Sequence, residues 1–371
     1  MKKFSLVILL ILIFTLEANP FTLEFPVLYR DPRIMSMGGV NVAIGGYSSS
    51  IFYNPAGLSN INPESGFEVD LIGANLSYSK DGLSFYNEMT TASATGNPQE
   101  VNRVLDKYRG KDLFVELNSF PSISRNFGRL AFAVGLVGVA RMNAMVHQGL
   151  GPSGLVTING GYIFGPAIGI SMSPNSRLSL GGSIKTLKTK WMNEDLSAVD
   201  LINSDGNLEN YMKEDNSTTV DIGLIFRPPY LVAGFKPSIG ISYTNIGSIR
   251  AGDSLFIPPT VNGGVSLSKK FSRSFLNSLI FGLDITDIGG AFPQDKDLGK
   301  RVNLGFEVGF YRSKLFDLIF RAGSHQGYLT GGIELRALIL RLTFATYGEE
   351  IGAYSGQQES RRYMISAFVS W

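Results

Sequence analysis

The sequence predicts an all-β fold, a transmembrane antiparallel β-barrel of about 14 strands with an N-terminal hatch or plug segment. Three observations predict it. From about Gly66 to Trp371, segments of roughly ten residues alternate large apolar side chains with small or polar ones, which is the period of a strand. The breaks between these segments are alternately short and long, as in barrels with tight periplasmic turns and larger external loops. Composition agrees: the chain has 43 Gly, 25 Phe and 15 Tyr, and only 17% of its residues are charged. A soluble domain carries about a quarter. Beyond the first residues there is no apolar run near the twenty that a membrane helix needs.

The alternation assigns faces. Tyr162, Phe164, Ile168, Ile170 and Met172 share one face, with Gly165, Ala167, Gly169 and Ser171 on the other. Val302, Leu304, Phe306, Val308 and Phe310 likewise oppose Asn303, Gly305, Glu307 and Gly309. A soluble sandwich also alternates, but its outer face is rich in charge. Here the polar face is mostly Gly, Ser, Thr and Asn, which suits a lipid-facing apolar belt around a polar lumen. By the same parity Lys185, Asp221, Asp284, Glu307, Arg321, Glu334 and Arg341 face the lumen. The simplest role for them is mutual pairing, because an unpaired buried charge is costly.

Short breaks fall near Asn126–Gly128, Pro174–Ser176, Arg227–Val232, Ser272–Ser274, Arg312–Lys314 and Arg336. Long ones fall at Lys80–Lys111, Arg141–Thr157, Trp191–Asp215, Gly247–Ile257, Ile288–Lys300 and Tyr347–Ser360, with a short external break around His325. The even strand count is consistent with both termini on the periplasmic side, and the barrel is expected to be a monomer in outer-membrane lipid.

At the start, Lys2 and Lys3 precede an apolar run, Phe4–Leu16, too short to span a bilayer, and Ala18 offers a cleavage point. This predicts a signal peptide over 1–18, a segment of separate character over 19–65 and the barrel over 66–371. The middle segment contains Asp31 to Ile61, DPRIMSMGGVNVAIGGYSSSIFYNPAGLSNI. The pairs Gly38-Gly39 and Gly45-Gly46 permit tight bends, and Asn54-Pro55-Ala56-Gly57 is a turn signal. Such a segment fits inside a lumen as a plug; taken alone, these features are equally compatible with an N-terminal arm.

Together, Arg33, Met37-Gly38-Gly39, Val42-Ala43, Tyr53 and Asn54-Pro55-Ala56-Gly57-Leu58 resemble the N-terminal signature of the FadL-like superfamily of outer-membrane barrels, including its PorV-type branch. Later phrases resemble it too: Gly182-Ser183-Ile184-Lys185, Asp221-Ile222-Gly223-Leu224, Asn245-Ile246-Gly247, Gly263-Gly264 and Arg321-Ala322-Gly323. The resemblance implies a fourteen-stranded barrel in the bacterial outer membrane that passes long-chain fatty acids or aromatic hydrocarbons, with a hatch carrying Asn54, Pro55 and Ala56. For the PorV-type branch it implies a partner of secretion-system proteins instead; a structural barrel without transport is a third reading. Phe52, Tyr53, Phe85, Tyr86, Phe114 and Phe120 are loose candidates for contact with a hydrophobic ligand. The last segment, in which Tyr363, Ile365, Ala367, Val369 and Trp371 share a face, resembles the β-signal read by the barrel-assembly machinery.

Other functions have little footing. The net charge of +2 gives no reason to invoke nucleic acid. With no Cys and two His, His147 and His325, far apart and each read as an ordinary loop residue, no metal, cofactor or enzyme motif is present. A hydrolase would need Ser324 and His325 to act together with an acid. External protease on intact cells is expected to cut within Lys80–Lys111 or Trp191–Asp215 and to spare Arg312–Lys314; cleavage confined to the short breaks would reverse the orientation.

Overall fold

The computed structural model describes residues 24–148, 154–203, 208–271, 275–292, 297–312 and 316–370. The expected signal peptide, the break at Ser272–Ser274, most of Arg312–Lys314 and Trp371 lie outside the described residues.

The strands are β1 (Phe67–Ser79), β2 (in two pieces, Asp112–Ser119 and Ser122–Asn126), β3 (Leu130–Gln148), β4 (Gly154–Met172), β5 (Leu178–Ser197), β6 (Lys213–Phe226) and β7 (Lys236–Ile246). They continue with β8 (Thr260–Lys270), β9 (Ser278–Ile285), β10 (Val302–Arg312), β11 (Phe316–His325), β12 (Tyr328–Ala337), β13 (Leu340–Glu350) and β14 (Glu359–Ser370). Each pairs antiparallel with the next, and β14 pairs with β1, so the 14 strands close into a barrel. Both pieces of β2 lie between β1 and β3, interrupted where Pro121 supplies no backbone N–H. At that interruption Phe120 is buried against Tyr29 and Phe52.

Parity holds around the wall. Phe164, Ile168, Ile170, Met172 and Leu304 are exposed on the outer surface, while Ala167, Ser171, Asn303 and Glu307 are buried within. The outer aromatic side chains also pack across strands, as Phe281 does against Phe306 at 4.7 Å.

Two of the expected external loops, Arg141–Thr157 and Trp191–Asp215, are in part strand. β3, β4 and β5 run 19, 19 and 20 residues, about twice what a tilted strand needs to cross a bilayer. The stretches 141–148 and 191–197 therefore project beyond the membrane belt. Their alternation weakens in sequence because their outward face meets protein rather than lipid. Between β1 and β2, where the sequence shows only a long break, lie helices α1 (Gly82–Ala94) and α2 (Pro98–Lys107). Asn97 caps α2 by accepting from Gln99 N at 3.0 Å, with Pro98 at its first position. Phe85, Met89, Val101, Val104 and Leu105 of these helices bury against Ala144, Val146, Val156 and Met192 on the projecting outer face.

Arg placed at Phe306 is expected to destabilise the barrel by about 2–4 kcal/mol, measured by urea titration in lipid. Glu307→Ala is expected to cost about 1–3 kcal/mol, because Arg321 loses one of two buried carboxylate partners. Tolerance of Arg at Phe306 would contradict the assigned face.

Candidate binding site in the lumen

The inner wall is unusually thin. On nine consecutive strands, β4 to β12, the residue facing inward at one level is glycine: Gly169, Gly181, Gly223, Gly240, Gly264, Gly282, Gly305, Gly323 and Gly332. The segment preceding β1 lies against them. A Cβ on Gly181 would stand 2.2 Å from Ala56 N, on Gly240 2.2 Å from Val42 O, on Gly305 2.4 Å from Met37 O and on Gly332 2.5 Å from Ser36 Cβ. Any side chain at these positions would push the segment off the wall. The segment itself bends at Gly38 and Gly39, whose φ values of 73° and 86° are open to glycine at little cost. Gly57 is needed for a different reason, since its own Cβ would meet Gly45 Cα at 2.7 Å.

Asn54 ties segment to wall. Its side chain accepts from Ala56 N at 3.0 Å, capping the short helical turn Pro55–Asn60, and its Nδ2 donates to Val42 O at 2.7 Å and to Leu224 O of β6 at 3.2 Å. The wall glycine Gly223 makes room for that amide. Asp284 of β9 does the same: its Oδ2 accepts from Asn41 N at 2.7 Å and Val42 N at 2.8 Å.

The other lumen charges pair with one another. Lys185 meets Asp221 at 2.8 Å, Arg321 bridges Glu307 at 2.7 Å and Glu334 at 2.9 Å, and Arg341 meets Asp70 at 3.0 Å. Asp284 departs from the expected ion-pair role, since its partners are backbone amides of the N-terminal segment. A second ionic cluster has no counterpart in the sequence reading. Arg30 meets Glu24, Glu116 at 3.2 Å and Glu349 at 3.5 Å; Arg362 meets Glu24 at 2.7 Å; Arg141 meets Glu116. Burial works to raise the Glu24 pKa, but the guanidinium groups of Arg362 and Arg30 outweigh it and hold the carboxyl well below its usual range. Arg362 also stacks over Phe114, 3.5 Å from its ring centre.

Above the bend at Gly39 is an interior cavity of about 120 Å³. Phe25, Val27, Leu28, Met35, Val42 and Phe52 line one part, and Asn245, Asn262, Asn303, His325, Gln326 and Glu349 another. Of the sequence candidates, Phe52 and Tyr53 reach this cavity. Phe120 packs behind it, and Phe114 faces the ionic cluster. Phe85 and Tyr86 line a separate apolar cavity of about 310 Å³, with Met89, Met142, Ile158 and Leu201, between the external helices and the projecting wall. His325, expected in a loop, is the last residue of β11 and lines the interior cavity. Its Nδ1 is 2.8 Å from Asn303 Oδ1 and its Nε2 3.6 Å from Glu349. Ser324 stands on the opposite face of the strand, so the pair a hydrolase would require does not meet. Tyr363 is exposed on the outer surface of β14.

By sequence, no family model and no curated protein matches. By structure, a deletion mutant of the monoaromatic hydrocarbon channel TodX covers 94% of this chain and 98% of its own at 11% identity, with a TM-score of 0.54. The toluene transporter TbuX of Ralstonia pickettii matches over the same shares at 15% identity and 0.51, and the Pseudomonas putida toluene transporter TodX at 12% and 0.50. The fold is that of the FadL-like barrels. The shared geometry runs over nearly the full length of both chains, so the strand order and closure agree while few side chains do.

Gly181→Val and Gly223→Val are expected to displace the N-terminal segment while leaving the wall closed. Limited proteolysis of the folded barrel should then release fragments from residues 24–66 that the parent protects. Asp284→Ala should act in the same direction. Protection unchanged in all three would mean that the segment is not held by the wall glycines.

Proposed function

We propose that this chain is an outer-membrane channel for passive uptake of small hydrophobic molecules, with the segment 19–65 as its hatch. The observation that carries the reading is the interior cavity, walled on its apolar side by Phe25, Val27, Leu28, Met35, Val42 and Phe52, all of them on the hatch itself. Its 120 Å³ is the size class of an engineered apolar cavity of about 150 Å³ that takes benzene. That favours single-ring molecules over long-chain fatty acids. The similar solved structures that are channels for monoaromatic hydrocarbons and toluene support the same reading. The external apolar cavity offers a second place to collect such molecules before they reach the lumen.

The remaining assignments follow from this reading. Residues 1–18 are the signal peptide and 66–371 the monomeric barrel, seated in outer-membrane lipid. Tyr363 and Trp371 are the contact with the barrel-assembly machinery. Movement of the hatch opens the path. Asn54 and Pro55 fix its turn, because Pro55 sets its own φ and restricts the residue before it.

Replacing Asn54 and Pro55 by Ala is therefore expected to alter uptake of a labelled monoaromatic by intact cells without changing the amount of folded barrel. Parent and variant that are both folded and both no better than cells lacking the protein would instead support a docking role toward secretion-system proteins.

A further inference from the structure

The outer surface of the wall carries an apolar groove of about 840 Å³. Outward side chains in register across the strands form its two sides. Val265, Leu283 and Leu304 stand along one side, and Leu267, Phe281 and Phe306 along the other. The backbone of Gly282, Gly305 and Gly323 is the floor, and the N-terminal segment lies on the inner side of the same glycines. Among the described residues no charged side chain lines the groove.

One end is different. There the turn between β6 and β7 contributes Pro228, Tyr230 and Val232. Val232 and Phe235 exchange two backbone hydrogen bonds of 2.9 Å, with Ala233 and Gly234 between them at φ values of 51° and 79°. This is the geometry of a tight two-residue hairpin loop. It fixes Phe235 edge-on to Phe281 at 5.8 Å. Lys269, the next outward residue of β8 after Leu267, places its Nζ 5.4 Å from the ring centres of both Phe235 and Phe271. It forms no ion pair among the described residues.

A lone ammonium at the mouth of an uncharged apolar groove is complementary to an amphiphile with an anionic head. On a lipid-facing wall that amphiphile is a membrane lipid. Neighbouring strands are about 4.8 Å apart, so Ala322 on β11, which continues the aromatic side, is roughly 15 Å across the wall from β8. One leaflet fills about half of a hydrocarbon core of roughly 30 Å, which is the same depth. A free hydrocarbon would fill the groove and leave the ammonium unneutralised, and a soluble phosphate would do the reverse.

We propose that the groove binds one phospholipid of the inner leaflet, with its phosphate on Lys269 and Tyr230 and one acyl chain along Phe281, Phe306 and Ala322. The inference rests on the wall's lying in lipid with its short turns toward the periplasm, and is independent of what the lumen carries.

The test is native mass spectrometry of the full chain in a mild detergent, titrated with dioleoylphosphatidylglycerol, with dioleoylglycerol of the same chains and with inorganic phosphate. The parent is expected to take up one phosphatidylglycerol saturably, at least about fivefold more tightly than the diacylglycerol, and no phosphate. Lys269→Glu should bring the two lipids within about twofold of each other. Ala322→Phe fills the groove and should weaken both, whereas Ile168→Phe, on the outer face of β4, should leave both unchanged. Diacylglycerol bound as tightly as phosphatidylglycerol by the parent overturns the site. Lipid uptake that never saturates, or that a folded Lys269→Glu and a folded Ala322→Phe leave untouched, is ordinary annular lipid and overturns it too. A dimer that Ala322→Phe abolishes would mean that a second copy covers the groove, with the same consequence. A chain that stays dispersed without detergent and takes up neither lipid overturns the membrane setting of the wall, and the site with it. The ranking measured on the parent decides the question even if a variant does not fold.

Discussion

The rest of the structure depends on how closely the N-terminal segment approaches the inner wall. Along a row of inward glycines from β4 to β12 the segment's backbone meets the wall at Gly181, Gly240, Gly305 and Gly323, and its side chains take the space left at Gly169, Gly223, Gly282 and Gly332. Close packing at protein density means that even one added methyl would have to be accommodated by moving the segment. The same contact sets the cavity: it exists where the segment turns away at Gly39, and its apolar lining comes largely from residues 25–52.

Charge is arranged to fit that contact. A lumen filled by protein is a poor place for isolated ions, so most interior charges are neutralised in pairs or triads across neighbouring strands. The exceptions link the segment to the wall. Asp284 binds backbone amides of residues 41 and 42, and Glu24 and Arg30 complete a network with Glu116, Arg141, Glu349 and Arg362. These attachments are joined by Asn54 and by wall hydroxyls that donate to the segment's backbone, Ser183 to Ile51 O, Ser266 to Ala43 O and Thr330 to Ser36 O. The segment is thus held by separate side-chain bonds, whereas the barrel is hydrogen-bonded along every strand.

The wall is not built to a single height. β3, β4 and β5 rise beyond the membrane belt, and the helices between β1 and β2 cover their outward face where lipid is absent. One continuous parity therefore serves two solvents, hydrocarbon at Phe164 to Met172 and protein at Val156 and Ile158. This is why the loop boundaries at 141–148 and 191–197 were hidden in the sequence: lipid demands large apolar side chains, while a protein cover accepts Ala144 and Met192 as readily.

The sequence by itself determined the closed antiparallel barrel, its strand number and the face on which Phe306, Glu307, Lys185 or Arg321 lies. The reason is local: a period of two fixes the face of each residue from its neighbours, and Gly38-Gly39 and Asn54-Pro55 declare bends through their own backbone limits. Only the tertiary structure decided which groups meet. Asp284 and Asn41 are 243 residues apart, Arg362 and Glu24 338, and His325 reaches Gly38 across 287. No pattern within a strand encodes such a pairing, because it depends on strand tilt, closure and the path of the segment through the lumen. The cavity and its polar end arise from that closure, so the chemistry of the site became legible only once the barrel had brought its distant parts together.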